Sequence, residues 1–247
     1  MSAFTVVIPA RFASSRLPGK PLMMIGSMPM IQHVWLRAKQ SDASAVVVAT
    51  DDQRIADVVH DFGGDVCLTS LDHPSGTDRL HDVSQQRGWA NDHIVVNVQG
   101  DEPLIPVSVI NQVAYLLVDQ SAYQVSTLCT RILTEHELID PNAVKVVIGA
   151  KQQALYFSRA ALPFDRDQSL NISDDAMPFY RHIGLYAYRV SALKAFTAWP
   201  VASLEAREKL EQLRFLENGL GITIAQANAL VPAGVDTQAD LDRVRAQ

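Results

Sequence analysis

Thr5-Val6-Val7-Ile8-Pro9-Ala10-Arg11-Phe12-Ala13-Ser14-Ser15-Arg16-Leu17-Pro18-Gly19-Lys20-Pro21 begins as a short β-branched strand, Thr5–Ile8. It stops at a proline and runs into a loop of small, bent and cationic residues. Behind it, Met30–Lys39 has helical spacing, with Pro29 suited to a helix's first turn. A loop between strand and helix can turn backbone N–H groups and the cations of Arg11, Arg16 and Lys20 toward a polyphosphate. It is not a Walker loop: G-x-x-x-x-G-K-[ST] is absent and Pro21 follows the lysine. A G-x-G-x-x-G fingerprint is also missing, which argues against a dinucleotide dehydrogenase.

The alternation continues outward. Strands are predicted at Ala45–Thr50, Val66–Leu68, His93–Gln99, Val125–Thr130 and Val144–Ile148, and helices at Asp52–Phe62 and Pro106–Gln120. The strands are apolar runs with little period-2 alternation, so both faces of the sheet must be covered. This predicts an α/β fold with a mostly parallel, doubly wound sheet. Ligands in such sheets bind beyond the carboxyl ends of the strands, so the loops after Ile8, Thr50 and Gln99 are the places to look. From Ala154 to Arg189 the pattern changes to strand, Pro/Asp loop, strand, which suggests an inserted hairpin or meander. Ser203–Asn218 is expected to be one helix closed by Gly219. Thr237–Arg245 is expected to be a terminal helix whose Thr237 and Asp240 have capping-box spacing, leaving Asp236 just before its start. One domain over residues 1–247 is expected.

Composition narrows the partners. The chain has 247 residues, 48% of them hydrophobic, enough for a large core, and a net charge of −6 that disfavours nucleic acid. No apolar run approaches a membrane span, and MSAFTVVIPAR reads as a strand and not as a signal peptide. Cys67 and Cys129 form no motif and are expected to be reduced core thiols of a cytoplasmic protein. No acidic residue precedes Asp42, so the first stretch carries a local positive field suited to a small anion. Gly100-Asp101-Glu102-Pro103 closes a strand, where a carboxylate can hold Mg²⁺ or cap the next helix. Ser75-Gly76-Thr77-Asp78-Arg79 by itself reads as a helix N-cap at Thr77. The Met23–Met30 methionines read as packing.

Taken together, PARxxSxRLPGKPL (9–22), VATDD (48–52), SGTDR (75–79), VNVQGDEP (96–103), PNAVKVV (141–147), LYFSRA (155–160), RHIGLYAYR (181–189), LEQLR (210–214) and GVDT (234–237) closely resemble the 3-deoxy-manno-octulosonate cytidylyltransferases. They span nearly the whole chain in order. The resemblance implies a Rossmann-like nucleotidyltransferase fold and CMP transfer from CTP to the anomeric hydroxyl of Kdo, a step of lipopolysaccharide biosynthesis. An 8-amino analogue of the sugar is the alternative acceptor, and a nucleotide-binding regulator is the non-enzyme alternative. By the same resemblance, Mg²⁺ is held by Asp101 and Asp236, and Lys20, Arg16 and Asp101 are catalytic. CTP is bound by Ala10, Arg11, Arg16, Lys20, Ser75, Gly76, Thr77, Arg79 and Asp101. The acidic sugar is bound by Gln99, Arg159, Arg166, His182, Tyr186, Glu211 and Gln212. The resemblance also implies a homodimer, with residues of about 144–215 serving dimerisation and sugar binding.

Overall fold

A computed structural model describes residues 4–13, 17–166, 172 and 178–246. Strand β1 (Phe4–Ala10) leads through a single 3₁₀ turn, Lys20–Leu22, and a small hairpin, β2 (Met24–Ile25) and β3 (Met28–Pro29), into helix α1 (Met30–Lys39). Next come β4 (Ala45–Thr50), α2 (Gln53–Asp61), β5 (Asp65–Leu68), α3 (Gly76–Gln86), β6 (Ile94–Asn97) and α4 (Val107–Asp119). The second half contains β7 (Val125–Arg131), α5 (Glu135–Ile139), β8 (Lys145–Ile148), β9 (Ala154–Ser158), β10 (Tyr180–Arg189) and α6 (Val190–Ala198). It closes with α7 (Ser203–Glu208), α8 (Leu213–Glu217), β11 (Ile222–Gln226) and α9 (Gln238–Arg245).

The main sheet runs β11-β7-β10-β6-β1-β4-β5, with β8 and β9 attached beside β10. β1 pairs in parallel with β4 and β6, β4 with β5, and β7 with β11. β10 runs against its neighbours; β9 pairs with β8 in an antiparallel hairpin and not with β10, its partner in the hairpin expected over Ala154–Arg189. Successive side chains of a strand point to opposite faces. Val6, Ile8, Val46 and Val48 therefore pack with Ile31, Ile55 and Val113 of α1, α2 and α4. Val7, Val47, Ala49 and Val95 pack on the other face with Leu80, Val83, Leu193 and Phe196 of α3 and α6. From β1 the chain moves to β4 and β5 on one side, then returns to β6 on the other. The topological switch point thus lies between the ends of β1 and β6.

The small hairpin β2–β3, the length of α3, and α5, α6 and β11 escape a pattern-based reading. The helix expected over Ser203–Asn218 is two helices, α7 and α8, because Lys209 adopts the left-handed conformation with φ 56°. A buried ion pair ties the halves together. Arg214 donates from Nε to Glu205 Oε2 at 2.7 Å and from Nη2 to Oε1 at 2.6 Å, with both side chains more than nine-tenths buried. Ser75, not Thr77, caps α3, its hydroxyl accepting from the Asp78 amide. The capping box of α9 is present as expected. Cys67 and Cys129 are unbridged and buried, and burial pushes the Cys129 thiol up to about 12. Among the described residues no helix is long and apolar enough to cross a membrane.

Removing one member of a buried pair strands the other's charge. Glu205→Ala should therefore lower the unfolding free energy by about 3–5 kcal/mol, measured by urea denaturation.

Candidate active site

The loop after β1 is pinned at both ends of its described part. The Gly19 amide donates to the Phe12 carbonyl at 3.0 Å, and the Lys20 amide to the Leu17 carbonyl at 3.1 Å. Gly19 has φ 69°, and a Cβ there would stand 3.2 Å from the Phe12 ring, so glycine meets both the backbone and the packing requirement. The Arg54 guanidinium covers the same ring at 3.4 Å from its centroid. Arg11 Nη2 donates to the His73 carbonyl at 2.7 Å, binding this loop to the segment before α3. Between β1 and β6 the loop borders a cavity of about 320 Å³. Pro9, Ala10, Arg11, Lys20, Asp101 and Asp236 are among the residues that line it.

Asp101 and Asp236 meet at this cavity although they are far apart in the chain. The Val235 amide donates to the Asp101 carbonyl at 2.9 Å, bringing the 234–236 segment against the end of β6. The Thr237–Asp240 capping box fixes the following turn, with the Asp236 amide donating to Asp240 Oδ2 at 3.2 Å. A satellite core of Leu17, Ile25, Met30, Val235, Leu241 and Val244, with Met23 packed on it, holds α9 to the loop after β1. Lys20 Nζ then donates to Asp101 Oδ2 at 2.5 Å and to Asp236 Oδ1 at 3.1 Å. Despite the opposing effect of burial, these two carboxylates raise the lysine pKa and keep it charged. The neighbouring Glu102 behaves differently. Burial, then the Asp101 charge, push its carboxyl up to about 8, so it is mostly neutral at pH 7.

A second cavity, of about 290 Å³, adjoins the first, and Gln99 lines both. Its floor is the β10 ladder. The His182 ring lies 5.2 Å from Tyr186, which stacks on Tyr188 at 5.5 Å and 15°. The register shift between Ile183 and Tyr186 places Gly184 on the same wall. Lys209, Leu210, Glu211 and Gln212 line it consecutively, which the left-handed break at Lys209 makes possible. Thr77 Oγ1 donates to Glu211 Oε2 at 3.0 Å, linking the start of α3 to this wall. Burial raises the Glu211 pKa, and the Thr77 hydrogen bond opposes that rise. His182 accepts from or donates to Thr127 Oγ1 at 3.1 Å, and burial lowers its pKa to about 3, leaving it neutral. Asn97 Oδ1, Tyr186 Oη and Gln212 Nε2 are buried here and make no hydrogen bond of normal geometry to the protein. Orphaned polar atoms around one cavity point to a ligand rich in hydroxyl groups.

The structure therefore brings together Ala10, Arg11, Lys20, Asp101 and Asp236 in one cavity, and Gly76, Thr77, His182, Tyr186, Glu211 and Gln212 in the next, with Gln99 between. Ser75 supports the second group from the cap of α3. Arg79 is fully buried, donating to Asp51 Oδ2 at 2.6 Å and to Thr69 Oγ1, so it ties together the loops after β4 and β5 and lines neither of these two cavities. Arg159 also lies apart from the two groups. Its guanidinium donates to the Glu208 carbonyl at 2.8 Å and the Pro141 carbonyl at 2.9 Å, outside the lining of the second cavity. Arg166 is exposed and lines neither cavity. Arg16, and most of the loop 163–177, lie outside the described residues. Asn97 and Lys209 were missed. Asn97 sat inside the VNVQGDEP motif, but only its position at the end of β6 exposes its role.

A family model described as Cytidylyltransferase matches residues 5–224. The chain is 57% identical over 249 residues to the 3-deoxy-manno-octulosonate cytidylyltransferase of Saccharophagus degradans, covering 99% of this chain and 98% of the relative. To the protein of the same name from Hahella chejuensis it is 52% identical over 250 residues, covering 100% and 98%. Among solved structures it is similar to CMP:2-keto-3-deoxy-manno-octonic acid synthetase complexed with CTP. The TM-score is 0.91 at 42% identity, with 99% of this chain and 98% of that chain covered.

The neutral His182 has a measurable consequence. Its folded pKa of about 3 lies below the ordinary 6.5, so below about pH 6.5 the unfolded chain binds a proton that the folded chain refuses. The group's contribution is fully present above that pH and is lost as the pH falls, by up to about 1.4 kcal/mol per unit. Urea unfolding at pH 7 and pH 5 should include this contribution in the wild type, and the loss of stability between the two pH values should be smaller in His182→Gln.

Proposed function

The chain belongs to the cytidylyltransferase family, and on that premise we propose that its two adjoining cavities carry the transfer of CMP from CTP to Kdo, with release of pyrophosphate. The observation that carries this reading is the shared wall at Gln99. On one side lies a charged pocket of Arg11, Lys20, Asp101 and Asp236, and on the other a pocket of uncharged polar groups around Tyr186, Asn97 and Gln212, with Lys209 and Glu211 on its wall. A triphosphate suits the first and a polyhydroxylated sugar the second, so donor and acceptor meet at the junction. The anomeric hydroxyl attacks the α-phosphorus in line, the P–O bond to the β-phosphate breaks, and pyrophosphate leaves. Such a reaction asks little covalent work of the protein; positioning and charge neutralisation lower most of the barrier.

Mg²⁺ belongs to this reading. The residues fit it: two carboxylates already converge on the Lys20 ammonium, and Mg²⁺ typically takes one or two carboxylates and completes its shell with phosphate oxygens and water. When bound by Asp101 and Asp236, the ion supplies charge neutralisation at the phosphate and acidifies the attacking hydroxyl. Arg11 and Lys20 hold the phosphates, and Arg16 is assigned the same task from the motif. Glu102, mostly neutral at pH 7, supports the turn from behind. In this reading the product is an activated sugar for lipopolysaccharide assembly, made in the cytoplasm by a homodimer. Large apolar side chains exposed beside α5 and β9, namely Leu133, Ile139, Leu155 and Phe164, support the dimer.

Three measurements test this. Pyrophosphate release with CTP and Mg²⁺ should be fast with Kdo and slower with its 8-amino analogue or a sialic acid; no release with any acceptor would overturn the assignment. Asp101→Asn should keep the fold and lose on the order of 10²–10³ in turnover, about 3–4 kcal/mol, whereas Glu102→Gln should retain most activity. In light scattering, the double variant Leu155→Asp/Phe164→Asp should be a monomer where the wild type is a dimer.

A further inference from the structure

Lys20 reaches into the space between the two aspartates, with its side chain only 14% exposed and its ammonium shared at 2.5 Å and 3.1 Å. We propose that Lys20 is a resident counter-ion that makes the carboxylate pair selective for a metal–triphosphate complex over a free divalent ion. The inference rests on the reading of Asp101 and Asp236 as the metal's carboxylates.

A free ion entering this pair must first displace an ammonium that both carboxylates hold. It must also tolerate that ammonium nearby, since Lys20 has no other carboxylate contact among the described residues. Like charges held a few ångströms apart in a partly buried site repel more strongly than they would in water. Mg²⁺ adds a further cost, because it sheds water reluctantly. A triphosphate changes both conditions. Lys20 lines the same cavity as Pro9, Ala10, Arg11 and Ala13, and its four-carbon stem is flexible. The backbone stays fixed by the 3₁₀ turn and the Gly19–Phe12 hydrogen bond while the ammonium swings. A phosphate in the cavity gives the ammonium a new anionic partner and leaves the carboxylates to the incoming ion. Release of Lys20 thereby couples the two binding events, and the coupling is reciprocal: nucleotide tightens metal and metal tightens nucleotide.

Mn²⁺ is a suitable probe because its unbound fraction is read directly by electron paramagnetic resonance. Without nucleotide, wild type should bind Mn²⁺ weakly. Lys20→Met should bind it at least about tenfold more tightly, the scale of losing a unit charge in contact with the site. Lys20→Gln should behave like Lys20→Met and serves if the methionine variant does not fold, as judged by circular dichroism. Lys20→Met/Asp101→Asn should lose the gain, placing the ion on Asp101. With a saturating non-hydrolysable CTP analogue, wild type should tighten its hold on Mn²⁺ by a larger factor than Lys20→Met does. If Lys20→Met binds Mn²⁺ no more tightly than wild type while Asp101→Asn abolishes binding with nucleotide, the role given to Lys20 is wrong and the metal assignment stands. If Asp101→Asn leaves Mn²⁺ binding unchanged with nucleotide present, the carboxylate pair is not the metal site and both readings fail.

Discussion

The chain leaving β6 lies so close to the end of β1 that a Cβ on Gly100 would stand 2.9 Å from the Pro9 carbonyl. Only glycine allows that approach without moving backbone. Because the two segments touch, Asp101 follows immediately beside the loop that carries Lys20. Because the Asp101 carbonyl then accepts from the Val235 amide, the distant segment with Asp236 arrives at the same place. Gly234 lies close from the other side, where a Cβ would make a tight contact with the Asp101 carbonyl at 3.2 Å. The charged pocket is thus a product of close backbone contacts at the switch point of a parallel sheet.

The two cavities differ in electrostatics more than in size. The first is lined by a lysine, an arginine and two aspartates, with the ammonium as internal counter-ion. The second removes or weakens such charges. His182 is neutral, the Glu211 carboxyl is raised by burial, and the tyrosines stay protonated. A phosphate chain needs compensating charge, whereas sugar hydroxyls need donors and acceptors at fixed places. Gln99 at the boundary offers both an N–H and a C=O without charge, so it can face either ligand. Lys209 is the lysine on the second cavity's rim, and it stands there through a left-handed backbone that also ends α7.

Several elements were legible because local rules agree with the global fold. Met30–Lys39 and Ala45–Thr50 match their predicted bounds, and the Thr237–Asp240 box forms as spaced. Where local rules were silent or outvoted, the reading failed. The helical stretch over Ser203–Asn218 has no glycine or proline to mark its break; the fold imposes the turn at Lys209, and the Glu205–Arg214 pair holds it. Arg79 sits in a motif that resembles a nucleotide segment, yet its guanidinium is turned inward to Asp51. Arg159 likewise finds backbone carbonyls before it can find a ligand. A motif fixes residue type and order, but which way a long cationic side chain turns depends on acceptors supplied by other elements.

The amino-acid sequence alone determined the α/β class, the cationic loop after the first strand, the carboxylate at the end of a later one and the family resemblance that joined them. These are properties of short segments, set by periodicity, turn chemistry and motif order. Tertiary structure decided that Asp101 and Asp236 both hold the Lys20 ammonium, that Asn97 joins the second cavity, that Arg79 turns inward to Asp51, and that Glu102 is mostly neutral at pH 7. Those outcomes depend on distance and desolvation between segments remote in the chain, and neither quantity exists until the sheet has brought them together.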